Sequence, residues 1–370
     1  MASDIRPFAS PDVAVVAEMF GRILRKSSGP TPPGLQSYLS DLFLDGPTAD
    51  PDLPSLVHVR EDGSVSGFIG VLPMALEHEG APVRGALCCS MMVDRPEEDP
   101  FAGARLLRGF MAGPQDISLT ETANDISTTM WRKMRGLVLN DYSLEWLRVI
   151  RPAGFAAALA ATRFGPARLL APLARPFDRF LGGRRGADPR WTHPDAGAKG
   201  RVLKVEDASE STVAELLPRL TAHYPMRPRW DGDTLSRMLV HARVKRRYGG
   251  LAQQVVSSPG GQPLGLFVYY GDPGGIGRAV QVVAVPGQEG AVIDAMVNHA
   301  AERGLVAIRG RSQPNLLNVM LGRRFIFVHA SSSIATARDP RLLEPFTAGK
   351  AFFNGFAGES WTRLMGDEFD

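Results

Sequence analysis

The chain has 370 residues, 44% of them hydrophobic and 22% charged, with a formal net charge of +3. That length is too great for one ordinary core and predicts two domains of about 150 residues with a connector. Two cysteines rule against a disulfide-stapled scaffold, and no apolar run reaches the roughly 18 residues of a membrane span.

The N-terminus MASDIRPFAS has no basic-then-apolar leader, which predicts a cytoplasmic protein. The opening DIRPFASPDVAVVAEMFGRILR predicts a short strand and then a helix begun by Ser10, Pro11 and Asp12, with Val13, Val16, Met19, Phe20 and Ile23 at helical spacing. A second helix, LQSYLSDLFLD, follows. LVHVRED, VSGFIGVLPMALEHEG and APVRGALCCSMMVD are alternating or apolar runs divided by turn residues, the pattern of an antiparallel meander. Cys88 and Cys89 are adjacent in its last strand, poor geometry for a disulfide. A turn carrying Glu97, Glu98 and Asp99 then leads into a helix with Leu106, Leu107, Phe110 and Met111 on its apolar side. DISLTETA is a fifth strand, NDISTTMWRKMRG a helix stopped at Gly136, and LVLNDYSLEWLRVI a returning strand.

Residues 151–190 carry eight Arg against two Asp, so the positive charge of the chain sits in one segment. Its AATRFGPARLLAPLARPFDRFLGGRR interleaves Arg with Leu and Phe, which predicts a connector helix that docks its apolar side and solvates its arginines. A membrane-surface or nucleic-acid patch is the other reading of such a segment, and no DNA partner is expected. WTHPDAGAKG reads as a linker.

Beyond it the same plan recurs. RVLKVED is a strand, STVAELLPRLTAHY and DTLSRMLVHAR are helices, and LAQQVVSS, PLGLFVYYG and RAVQVVAVPG are three strands. AVIDAMVNHAAERG is a helix, LVAIRGRS a strand, NLLNVMLG a short helix, and FIFVHASSSIATA a closing strand. Strand, two helices, three strands, helix, strand, helix, strand is thus written twice, which predicts a duplicated α/β domain. GDPGGIG is followed by a strand and not by a helix, so it reads as a hairpin loop and not as a dinucleotide fingerprint. The seven His are scattered without metal-ligand spacing, and no metal is expected.

Each half resembles the GNAT superfamily of acyl-CoA-dependent acyltransferases, and the whole chain resembles tandem-GNAT proteins, a grouping that includes the FemAB-like transferases. The resemblance rests on the element order, on Val93 at the end of the fourth strand with Gly103 opening the next helix, and on Asn124, Trp131, Lys133 and Gly136 around the helix after the fifth strand. In the second half it rests on Asn315 and on Gly322-Arg323-Arg324-Phe325. It implies two tandem GNAT-like domains, 1–150 and 200–370, each a mixed, mainly antiparallel sheet flanked by helices, with residues 151–199 as connector. The family's Arg/Gln position falls on Glu98 and its first loop Gly on Phe101.

It further implies acetyl-CoA or another acyl-CoA as co-substrate and no metal. The pyrophosphate would lie on the backbone of Met92, Val93, Phe101, Ala102, Gly103, Ala104 and Arg105, at a helix N-terminus where amides are free and Gly103 allows close approach. VPGQEGAVIDAM, with Gly287, Gly290 and Ala291, is the rival loop. Acyl transfer to an amine needs a base. Glu121 is the preferred one, in LTETAND with Asn124 and Asp125, and Trp131 stands where family members often carry an acidic Tyr. Arg309, Arg311, Ser312 and Asn315, with Tyr269 or Tyr270, form a candidate acceptor pocket for a carboxylate, phosphate or sugar. The expected activity is N-acylation of a small amine, an amino sugar or amino acid derivative. An aminoacyl-tRNA-dependent FemAB-like transferase and a degenerate, non-catalytic scaffold are the alternatives.

Overall fold

A computed structural model describes residues 4–46, 49–163 and 203–369. Most of the connector predicted at 151–199 lies outside the described residues, as do Leu169, Leu170 and the other apolar positions of its expected docking face.

The first half runs β1 (Asp4–Pro7), α1 (Val13–Met19), α2 (Pro33–Ser40), β2 (Leu56–Val59), β3 (Val65–His78), β4 (Ala81–Val93), α3 (Ala102–Met111), β5 (Ile117–Ala123), α4 (Asp125–Lys133), β6 (Leu137–Val138), α5 (Asn140–Ser143), β7 (Leu144–Val149) and α6 (Pro152–Arg163). The second runs β8 (Lys204–Asp207), α7 (Glu210–Thr221), β9 (Met226–Pro228), α8 (Gly232–Arg243), β10 (Leu251–Ser257), β11 (Pro263–Tyr270), β12 (Ile276–Ala284), α9 (Glu289–Glu302), β13 (Ala307–Arg311), α10 (Pro314–Leu321), β14 (Ile326–His329), β15 (Ser332–Ala337) and α11 (Glu344–Thr347). Helix starts follow their cap residues. Asn124 accepts from the Ser127 amide at 2.9 Å, Ser209 from Thr212 at 3.1 Å and Asp231 from Thr234 at 2.7 Å.

Two mixed sheets result. The first has the order β1-β2-β3-β4-β5-β15-β6 and the second β8-β10-β11-β12-β13-β7-β14, with β9 added to the far end of β3. Position by position the two orders match, and among the described strands the parallel neighbours in each are the fourth and fifth of the half, β4 with β5 and β12 with β13.

One departure from the sequence reading is systematic. LVLNDYSLEWLRVI and FIFVHASSSIATA each read as a single strand in the sequence, and each is two strands in different sheets. After β6 the chain turns through α5 and crosses, so that β7 lies between β13 and β14 of the second sheet. After β14 it crosses back, and β15 lies between β5 and β6 of the first. Hydrophobic alternation reports which face of a strand is buried and carries no information about which sheet edge receives it.

Helices α3 and α4 cover one face of the first sheet, over Ile69, Val71, Ala86, Cys88 and Ile334. Helices α9 and α10 cover the equivalent face of the second, over Phe267, Tyr269 and Ile308. The remaining faces share one core with α1, α2, α7 and α8, in which Leu72 and Leu87 of the first sheet join Leu266 and Val268 of the second. Into this shared core runs an irregular C-terminal tail, residues 351–369, burying Phe352, Phe353, Phe356, Trp361, Leu364 and Phe369.

Candidate active site

Strands β4 and β5 pair only from Gly85 to Leu87, opposite Ile117 to Leu119, and then part. Just past that point β4 carries a bulge, where Ser90 and Met91 oppose the single Ile69 and Ser90 takes a φ of 50°. Strands β12 and β13 likewise pair only as far as Ala279 and Gly310, and a bulge sits at Val280. Each sheet therefore has a wedge-shaped opening at the same place.

At the end of β4 the acidic turn is electrically balanced. Asp94 pairs with Arg22 at 2.7 Å, Glu98 with Arg60 at 3.0 Å and Arg95 at 2.6 Å, and Asp99 with Arg105. Asp99 also meets the His58 Nε2 at 3.2 Å, while burial pushes the His58 imidazole down in pKa. Asp99 accepts from the Phe101 amide at 3.2 Å. Among the described residues no acceptor engages the amides of Gly103 and Ala104, the first turn of α3. Phe101 is 70% exposed beside them. Two free amides at a helix N-terminus form an anion-binding feature, and three of the local carboxylates, Asp94, Glu98 and Asp99, are offset by Arg22, Arg60, Arg95 and Arg105.

The tail enters both openings. In the second, Phe353, Asn354 and Gly355 fill the gap down to a void of about 20 Å³. Gln281 accepts from the Phe356 amide at 3.0 Å, and the Asn354 amide group donates to the Ser312 carbonyl at 2.8 Å. In the first, the Glu121 carboxylate accepts from the Glu359 amide at 2.7 Å and from the Ser360 hydroxyl at 2.9 Å. Thr122 donates to one oxygen of Glu359 at 2.5 Å. Gly358 passes so close to Glu121 that a Cβ there would collide with the carboxylate, which is why this position has none.

Two cations complete this buried cluster. Arg311 crosses from β13 to donate to the Glu121 carbonyl and to the Ser333 hydroxyl, the latter at 2.9 Å. Lys245 donates to the Ser360 carbonyl and lies 5.7 Å from the Tyr270 ring centroid. Burial pushes the Lys245 ammonium down to about 7, against the opposing pull of Glu121. Burial, reinforced by the neighbouring Glu121 carboxylate, pushes Glu359 up to about 7. The thiols of Cys88 and Cys89 are fully buried and raised well above their usual range, so neither is a nucleophile at neutral pH.

Against the tail lies a cavity of about 600 Å³, with Gly358 in its wall directly over Glu121. Leu72, Leu76, Leu87, Trp230, Phe356 and Trp361 give it an apolar body, while Arg84, Asp116 and Asp231 bring charge to its ends. A more open groove of about 830 Å³ lies elsewhere on the second half, where Lys245, Arg303, His299 and Asp272 meet.

The sequence-derived site residues are distributed unevenly over this arrangement. Glu121 lies at its centre. Asn124 serves as the cap of α4, and Asp125 is exposed on that helix's first turn. Met92 and Ala102 are buried in core and Val93 is half-buried, while Gly103 and Ala104 open α3 after the turn and the Arg105 side chain reaches back to Asp99. Trp131 is fully buried and its indole N–H has no acceptor among the described residues. Tyr269 bonds the His299 ring at 2.8 Å, Arg309 pairs with Glu145, and Asn315 has neither side-chain polar atom bonded. None of the described cavities is lined by these three together with Arg311. No motif or spacing in the sequence points to Lys245 or the tail; the one acidic residue in the apolar and small run AFFNGFAGESW is the signal that marks Glu359.

No family model matches the chain, and no curated protein matches it. Among solved structures, a conserved Enterococcus faecalis protein of unknown function, a probable N-acyltransferase, superposes with a TM-score of 0.59 at 8% identity, over 93% of this chain and 74% of that one. A GCN5-related N-acetyltransferase from Anabaena variabilis gives 0.58 at 10% identity, over 91% and 73%. One from Kribbella flavida gives 0.52 at 14%, over 92% and 72%. The chain therefore has the α/β fold of GCN5-related N-acetyltransferases, two mixed sheets flanked by helices. At such identities the likeness speaks for the fold alone.

Proposed function

We propose that the protein is an acyl-CoA-dependent N-acyltransferase of tandem-GNAT type, with the acyl-CoA in the first half and a small amine, an amino sugar or amino acid derivative, in the 600 Å³ cavity. One observation carries this reading. The first half has free helix-terminal amides at the end of β4 and a ligand-sized cavity against Gly358, on the side where β4 and β5 are still paired, whereas the void described in the second sheet's opening is about 20 Å³. The names of the three structural neighbours support the reaction class.

The residues divide the work. Gly103 and Ala104 offer backbone N–H groups to the pyrophosphate, and Arg60, Arg95 and Arg105 supply nearby positive charge. Trp230, Phe356 and Trp361 give the acceptor an apolar wall, with Asp116 and Asp231 for its polar groups. Glu121 holds the tail that closes the reaction site. Thiol release from acetyl-CoA, followed with a panel of primary amines, tests the reading. Release above the uncatalysed rate that Trp230→Ala weakens through KM supports it. No release with any amine, together with no CoA retained in native mass spectrometry, favours a non-catalytic scaffold, and retained tRNA favours the aminoacyl-tRNA-dependent alternative.

A further inference from the structure

The tail residue Glu359 has a carboxylate oxygen without a partner among the described residues, and Glu121 has none. Both Glu121 oxygens are already occupied, one by the Glu359 amide and the other by the Ser360 hydroxyl. Using either would release the tail. Glu359 has one oxygen held by Thr122, and among the described residues its other oxygen has no partner. Its carboxyl lies in the first opening, near enough to Cys88 and Cys89 of β4 to act on both thiols, and next in the chain to the cavity-lining Gly358.

Resting on the proposed acyl-transfer reading, we infer that Glu359 is the group that takes the proton from the acceptor amine, with Glu121 and Thr122 as its positioning residues. The amine nitrogen gives a proton to the free Glu359 oxygen and its lone pair attacks the thioester carbonyl carbon. As the intermediate collapses the C–S bond breaks, and the proton ends on the departing thiolate, so that amine and acyl-CoA become amide and CoA thiol. Glu359 returns to the carboxylate with no outside oxidant or reductant.

The groups facing Glu359 suit the task. From β5 come the Glu121 carboxylate and the Thr122 hydroxyl, from β4 the two buried thiols, from β13 the Arg311 guanidinium, and from the segment after α8 the Lys245 amine. Burial and Glu121 hold the proton affinity near 7, while Thr122, Arg311 and Lys245 lower it. A base poised at that value is largely ionised just above neutrality yet still accepts a proton efficiently.

The test is the pH dependence of kcat for thiol release from acetyl-CoA with 2-phenylethylamine, whose ring matches the Trp230 and Phe356 wall. The parent is expected to show a limb rising through about pH 7. Glu359→Gln should lower kcat by about 100-fold or more, abolish that limb and leave KM for acetyl-CoA within about twofold. Glu359→Asp should keep the limb at reduced rate. Thr122→Val, which removes a bond that favours the ionised form, should move the limb to higher pH, a shift that mere damage to the fold does not produce. An unchanged limb in Glu359→Gln, or an unshifted one in Thr122→Val, overturns the inference and leaves the proposed function standing. No thiol release by the parent overturns both.

Discussion

Gly103 shows how one missing side chain separates a fold requirement from a ligand requirement. A Cβ there would stand 3.5 Å from the Met130 sulfur and 3.6 Å from a Val93 methyl, ordinary contact that the fold accepts. Gly103→Val should therefore leave thermal stability nearly unchanged while weakening CoA by about 1–3 kcal/mol in calorimetric titration, because the branched side chain enters the phosphate's approach. Gly290 behaves differently, since its Cβ would meet the Arg323 guanidinium. Unchanged CoA affinity in Gly103→Val with loss in Gly290→Val would move the site to the second half. Glu98→Gln removes one anionic partner from Arg60 and Arg95 and should strengthen CoA binding modestly, by less than about 1 kcal/mol, because the pairs it breaks are partly exposed. Legibility at this scale was mixed. The helix-opening Gly103 and the buried Glu121 stood out in the sequence, but Asn124 looked the same whether it met a substrate or capped a helix, since both uses need a side-chain acceptor at a strand end.

The tail is the element that sequence patterning concealed. AFFNGFAGESWTRLMGDEF has neither a helical nor an alternating period, because its backbone follows the gaps left by two sheets and not a regular path of its own. Its six buried large apolar side chains are each worth about 1.5–3 kcal/mol, a sum comparable to the roughly 5–15 kcal/mol by which domains are stable. Deleting residues 351–370 should leave no cooperatively folded protein, as read by calorimetry. The charged part of the same element predicts a pH signature. Glu359 has its folded pKa raised to about 7, so its contribution to stability is full below its unfolded value of 4.5 and is lost as pH rises through 7. Lys245 has its folded pKa lowered to about 7 from 10.5, so its contribution rises as pH climbs between those values. The two together place a minimum near neutrality. Glu359→Gln should raise stability by up to about 3 kcal/mol at pH 8 and by much less at pH 5, measured by denaturant unfolding. Equal gains at both pH values would contradict this account.

At the scale of the whole molecule, the doubled plan was legible because cap residues, turns and apolar periods repeat in the same order in both halves. The exchange of β7 and β15 was not, because strand choice depends on edges that exist only once both sheets are assembled. That exchange makes the halves interdependent. A chain cut once between residues 163 and 203 should elute as one particle in native gel filtration, held by β7 in the second sheet and β15 in the first. Either piece expressed alone should be insoluble, since each sheet then lacks an interior strand and exposes two unpaired edges. Independent folding of a single piece would show that the exchanged strands are dispensable.

The same crossing sets a schedule for biosynthesis. When Ala123 leaves the ribosome, β5 has its β4 side paired but must wait for Ser332 to Ala337 on the other, roughly 200 residues later. At elongation rates of about 5–20 residues per second, that edge stays open for on the order of 10–40 s. The two residues of β6, whose one partner among the described strands is β15, have no sheet to join in that interval. The nascent first half is thus a natural client for chaperones that bind extended segments, and slowing translation of the second half should lower the soluble yield of the whole protein.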